Sequence, residues 1–213
     1  MRTSVYISVA AVLIRGFVAF GAGTEDFIIT ASDGGVNENF GGAVSAYGDR
    51  VLVGAREPYS AGEYPGSAYV FRWNGGEWVQ ETKLLPSGGE TRNRFAQSVS
   101  LCGDWALIGS AEDSERGTST GAAYVFKWNG SEWVQEAKLM PSGTAQDYER
   151  FGTMVSLSGN RALIGCPGRD AAFVFEHDGS SWQETATLTK AGIYHFGSKV
   201  SLLDYRAVVS FTT

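Results

Sequence analysis

Phe40-Gly-Gly-Ala-Val-Ser-Ala-Tyr-Gly-Asp-Arg-Val-Leu-Val-Gly-Ala55 recurs without a gap as Phe95–Ser110, Phe151–Cys166 and Phe196–Phe211. The four phenylalanines are spaced by 55, 56 and 45 residues. Self-similarity at such a period identifies a repeat architecture. A second block lies between them: Gly66-Ser-Ala-Tyr-Val-Phe-Arg-Trp-Asn-Gly-Gly-Glu-Trp78, repeated as Gly121–Trp133 and Asp170–Trp182. The chain is about three and a half copies of one unit, with units starting near residues 40, 95, 151 and 196.

Inside a unit the apolar period is two, and four strands can be placed. In the first unit strand a is Ala43–Tyr47, b is Arg50–Gly54, c is Ser67–Trp73 and d is Trp78–Leu84. Gly48-Asp49 is a two-residue hairpin signal, repeated as Gly103-Asp104 and Gly159-Asn160. Asn74-Gly75-Gly76 supplies residues that accept positive φ for the c–d turn. Four antiparallel strands per unit is the blade of a β-propeller. The fold class is therefore all-β: about three full propeller blades plus partial ones, an incomplete or fragmentary propeller. Phe27–Asp33 precedes Phe40 as Leu84–Arg94 precedes Phe95. It reads as a strand d that could join the C-terminal a and b strands in a closing blade lacking strand c.

The tight a–b and c–d turns share one end of the blades. The b–c loops (55–65, 110–120) and d–a loops (85–94, 140–150) are long, differ between copies and share the other end. A rigid scaffold presenting variable loops on one side is a binding geometry. Glu57, Tyr59, Tyr64, Glu112, Asp113, Arg169 and Asp170 are the candidate ligand contacts on that face. The acidic members also fit a plain solvated loop, and single surface tyrosines are ordinary. Trp73, Trp78, Trp128, Trp133 and Trp182 recur in every unit and read as blade-to-blade packing.

Composition narrows the function classes. A net charge of −6 without Lys/Arg runs disfavours nucleic acid. No Walker, dinucleotide or His/Cys metal spacing is present, so no cofactor is expected. Gly117-Thr-Ser119-Thr-Gly121 has the spacing of a nucleophile elbow but sits before a strand, and His177 and His195 are the only histidines. No catalytic residue is assigned, and no enzyme activity is expected. Asn129-Gly-Ser131 is a glycosylation sequon on a hairpin turn. Cys102 and Cys166 occupy different repeat positions and are expected to be free thiols. Arg2, the apolar run Val5–Ile14 and small residues at 19–23 predict a signal peptide over 1–23, with repeats over 24–213. That places the protein outside the cell or on its surface, with membrane contact only through an uncleaved N-terminus.

The Phe-Gly, Val-Ser and Gly-Ala/Cys-Pro signature, fullest in Phe151-Gly152 with Gly165-Cys166-Pro167, resembles the FG-GAP repeat of integrin α subunits and of many surface or secreted proteins. The resemblance implies a propeller that binds a protein or glycan ligand or mediates adhesion. Many such units carry a carboxylate-rich calcium loop between strands a and b. Tyr47-Gly48-Asp49 and its equivalents offer one side-chain oxygen donor at most, too few for calcium's six to eight oxygens, so no metal is expected. A non-autonomous structural fragment of a longer propeller protein is the alternative, and an enzyme with its site on the loop face is the remaining one. An open arc of blades exposes apolar faces at its ends, so self-association is expected.

Overall fold

A computed structural model describes residues 5–7, 27–33, 39–56, 66–88 and 93–212. Three four-stranded antiparallel sheets follow one another along the chain. The first blade is β3 (Asn39–Tyr47), β4 (Arg50–Arg56), β5 (Ser67–Trp73) and β6 (Trp78–Leu84). The second is β7 (Phe95–Cys102), β8 (Trp105–Ser110), β9 (Ala122–Trp128) and β10 (Trp133–Leu139). The third is β11 (Val155–Ser158), β12 (Arg161–Cys166), β13 (Ala171–His177) and β14 (Trp182–Thr189). β15 (Lys199–Leu203) and β16 (Arg206–Ser210) form a two-stranded fourth unit. The fold is thus all-β and consistent with an incomplete propeller. Strands c and d of the first unit have the predicted bounds. Strand a begins earlier because a bulge at Gly41-Gly42 lets Phe40 pair with Ala55 before Ala43 meets Gly54.

One expectation is corrected. Phe27–Ile29 does form a strand (β2), but it does not pair with β15 or β16. It pairs antiparallel with β1, Val5–Ile7, in a sheet of its own. The segment over 1–23 contributes β1, and the rest of it lies outside the described residues.

Blades stack face to face through apolar layers. Leu52 and Val70 of the first blade meet Phe95, Val99, Leu101 and Ile108 of the second. Leu107 and Val125 of the second meet Phe151, Val155, Leu157 and Ile164 of the third. Leu52, Leu107 and Leu163 occupy one repeat position and are fully buried. Each such leucine stabilises the stack by about 1.5–3 kcal/mol. The Val-Ser pair has a structural role too. Ser45, Ser100 and Ser156 each accept, on Oγ, the backbone N–H of the next inner strand, at Leu101 (3.0 Å), Leu157 (2.9 Å) and Leu202 (2.9 Å). Glycine at the end of strand b completes the rule. A Cβ on Gly109 would lie 2.1 Å from the Gly152 carbonyl oxygen, and one on Gly165 would lie 2.1 Å from that of Gly197.

The recurring tryptophans cross these joints, as expected. The c–d register slips by one residue at Glu81, Glu136 and Thr185, and a bulge re-aims the side chain at that point. Glu81 thereby accepts Trp133 Nε1–H of the next blade (2.9 Å) while holding Arg50 at 2.9 Å. The Arg50 guanidinium lies 4.6 Å from the Trp128 ring centroid. At the next joint Trp105 replaces that arginine and packs on His177 and Trp182, and Glu136 takes His177 Nε2 at 2.9 Å.

Candidate ligand-binding face

The inner strands begin at the loop end of the blades, and their first residues surround a cavity of about 520 Å³. Asn39 and Arg56 of the first blade, Gln97 of the second, Thr153 of the third and Lys199 of the fourth unit converge on it. Val44, Val99 and Met154 supply apolar wall. No carboxylate belongs to the described lining, and neither Arg56 nor Lys199 has an ion pair among the described residues. Gln97 Oε1 is buried without a hydrogen-bond donor among the described residues. A buried acceptor of this kind is costly unless something donates to it.

The acidic and basic loop residues around this mouth hold the loops to one another. Asp113 is buried and accepts Tyr124 O–H (2.7 Å) and Lys138 Nζ (2.9 Å). Burial, then the bond to the Asp113 carboxylate, holds the Tyr124 phenol well above its usual pKa. Burial would lower the Lys138 ammonium, but its bonds to Asp113, Glu115 and Tyr124 outweigh that and raise it. Glu112 pairs with Arg94 at 3.0 Å. Arg169 reaches the fully buried Glu149 at 3.0 Å and donates to the carbonyls of Ser142 and Thr144. Arg116 clamps the same loop through Pro141 and Gly143. Asp170 stands in the left-handed region (φ 51°) and accepts the His195 N–H. Four of the predicted contacts are therefore loop anchors with internal partners. Glu57, Tyr59 and Tyr64 lie outside the described residues.

Ser119 also sits in the left-handed region, in the loop before β9, with its N–H bonded to Ser114 Oγ. No helix follows it, and His177 is at the opposite end of the blades beside the c–d turn. Asn129 has an exposed side chain whose Oδ1 caps the N–H groups of Ser131 and Glu132. Asn74 and Asp178 do the same in the other blades, and the bonds from Ser180 and Ser181 hold Asp178 down to a pKa of about 2. Cys102 and Cys166 are free, and burial pushes the Cys166 thiol up to about 12. Among the described residues no three His, Cys, Asp or Glu side chains converge as a metal site, and no helix is long and apolar enough to cross a membrane.

The FG-GAP repeat matches residues 24–71, 78–126 and 133–180. The chain belongs to the FG-GAP repeat family. Each FG-GAP match runs from a strand d through a, b and into c, one strand out of phase with the sheets. That offset ties every blade covalently to the next one's inner strand. A crystal structure of a protein from Lactobacillus plantarum shares the fold at 11% identity and a TM-score of 0.52, over 81% of this FG-GAP chain. The chain spans 48% of that protein's length. No curated protein matches it.

The cavity escaped sequence reasoning because its residues come from four units and mostly occupy equivalent positions whose side chains change from copy to copy. The signal was nevertheless present. Strand a opens with Gly-Gly-Ala, Ala-Gln-Ser, Gly-Thr-Met and Gly-Ser-Lys, the most variable triplet inside an otherwise regular block.

Proposed function

We infer that this FG-GAP chain is a non-catalytic binding module that holds the acidic sugar of a glycan at the cavity among its inner strands. The convergence of Arg56 and Lys199 on a lining whose described residues include no carboxylate carries this reading. Two cations there complement one carboxylate, with Arg56 able to bind it through two parallel N–H bonds. A sugar hydroxyl would satisfy the orphaned Gln97 Oε1, and Met154 offers apolar surface to a ring face. The internally bonded loops form a stiff rim rather than the primary contact, which limits the ordering cost of binding. Adhesion, where it occurs, would run through this rim and mouth.

The test is titration of the chain with glucuronate, glucose and a short Asp-containing peptide, followed by calorimetry. Glucuronate is expected to bind, with glucose weaker by tenfold or more, and Arg56→Ala with Lys199→Ala should abolish the difference. Equal binding of both sugars, or glucuronate binding unchanged in the double variant, would sink the proposal. Preference for the peptide over glucuronate would move the ligand to an acidic protein segment.

A further inference from the structure

Among the described residues, the two two-stranded units of this chain are complementary halves of one blade. β2 stands where a strand d stands. Gln80 Oε1 accepts the Ser32 N–H at 2.9 Å, as Gln135 accepts that of Ser87 at 2.8 Å, so β2 docks on the first blade as β6 docks on the second. Ile29 and Leu84 share a repeat position, and both are buried. β1 then stands where a strand c stands. Val5, Tyr6 and Ile7 pair with Ile29, Ile28 and Phe27. Ala68, Tyr69 and Val70 pair with Leu84, Lys83 and Thr82. The registers coincide residue for residue, and Ser4-Val5-Tyr6-Ile7 repeats the pattern of Ser67-Ala68-Tyr69-Val70. Among the described residues this unit shows c and d without a and b. The fourth unit has a and b, and among the described residues no strand c beside β16.

Exposure marks the same missing halves. Val44 is 53% exposed, whereas its equivalents Val99, Val155 and Val200 are 9% or less. Ala46 is exposed where Leu101, Leu157 and Leu202 are buried. At the other end Val208 is 67% exposed where three leucines are fully buried. Ser201 is the next rung of the serine ladder, and the Ala46 N–H is the position that such a rung bonds.

We propose that β15–β16 of one copy of this chain insert beside β1–β2 of a second copy, completing a shared blade in the order a, b, c, d. A second copy, rather than closure within one chain, is the occupant because the two half-blades stay in separate sheets of the same molecule. Two copies joined at both ends make a ring of eight blades, within the range propellers adopt. The internal register places Val208 opposite Ile7 and brings Ser201 Oγ to the Ala46 N–H. One residue departs from the rule: Ser210 stands where Gly54, Gly109 and Gly165 stand, and its Cβ holds the joint slightly open. Docking also requires Val5–Ile7 in the working chain, so a leader cleaved at residues 19–23 is incompatible with it.

Sedimentation equilibrium of the 213-residue chain tests this, with circular dichroism verifying the fold of each variant. The chain should be dimeric, and Val208→Glu and Ala46→Glu, both at exposed positions, should each lower the association constant at least tenfold. Mixing the two variants should restore a one-to-one complex, because one intact joint remains between them. Ser210→Gly should strengthen association. Ile7→Cys with Val208→Cys, in a Cys102→Ser, Cys166→Ala background, should oxidise to a covalent dimer. A monomeric chain, association indifferent to Val208→Glu, variants that fail to complement each other, or a purified chain starting after residue 19 would each overturn the proposal.

Discussion

The joint between the first and second blades and the joint between the second and third share one backbone plan but differ in chemistry. At the first, Arg50 inserts against Trp128 and Trp133, and the bulged Glu81 binds both Arg50 and Trp133 Nε1. At the second, Trp105 takes the arginine's place, His177 captures Glu136, and Trp182 Nε1 is left buried without an acceptor. The apolar centre and the serine rung are the same at both. The repeat therefore keeps what brings the backbones together and lets the outer edge vary, provided the bulged glutamate finds one donor.

The largest effect should test the shared part. Leu52→Ala and Leu107→Ala each open a cavity at the centre of one joint, and each should cost about 2–5 kcal/mol in urea unfolding. Costs differing by more than twofold would show that the edge chemistry reaches the centre. Next come the glycines. The Cβ of Gly109→Ala meets backbone oxygen at 2.1 Å, and that of Gly54→Ala at 2.5 Å. Overpacking costs about 1–3 kcal/mol, with Gly109→Ala at the upper end and Gly54→Ala below it. The reverse order would mean that the second joint is the looser one.

Trp133→Phe removes a donor bonded to a carboxylate and should cost about 1.5–3 kcal/mol. Trp182→Phe removes a donor that has no acceptor and should be close to neutral by the same measurement. Equal costs would break the comparison outright. The smallest effect is with pH. Burial would raise the Glu81 carboxyl, but the bonds from Arg50 and Trp133 prevail and hold it below its ordinary value of 4.5. A depressed folded-state pKa contributes stability that is complete above the unfolded value and lost as pH falls through the folded one. Melting temperature should decline below about pH 4.5 in the natural chain. Part of that slope should vanish in Glu81→Gln, and an unchanged slope would remove Glu81 from the account.

The loop face shows where sequence reading stops. Asp113 is acidic, in a variable loop and beside Glu112 and Glu115, which in sequence is indistinguishable from a solvent-facing ligand contact. In three dimensions Tyr124 and Lys138 enclose it. The partners are 11 and 25 residues away, and only the packing of c and d under the b–c loop brings them in. Arg169 is similar: its acceptors lie in the preceding d–a loop. The cavity is harder still, since Arg56 and Lys199 are far apart along the chain and belong to different strand types.

Sequence by itself determined the repeat unit, the strand bounds of c and d in the first unit, the two plain turns and the tryptophan positions that pack between blades. These follow from side-chain alternation, turn chemistry and recurrence, which act over a few residues or repeat in register. The tertiary structure alone decided that Val5–Ile7 pairs with β2, that Glu81 crosses to the next blade's tryptophan, and that the loop acids are anchors. It also decided that the cations gather at the inner strands. Those outcomes depend on which segments meet across tens of residues, and the stacking of neighbouring units sets that, not the local pattern of any one strand.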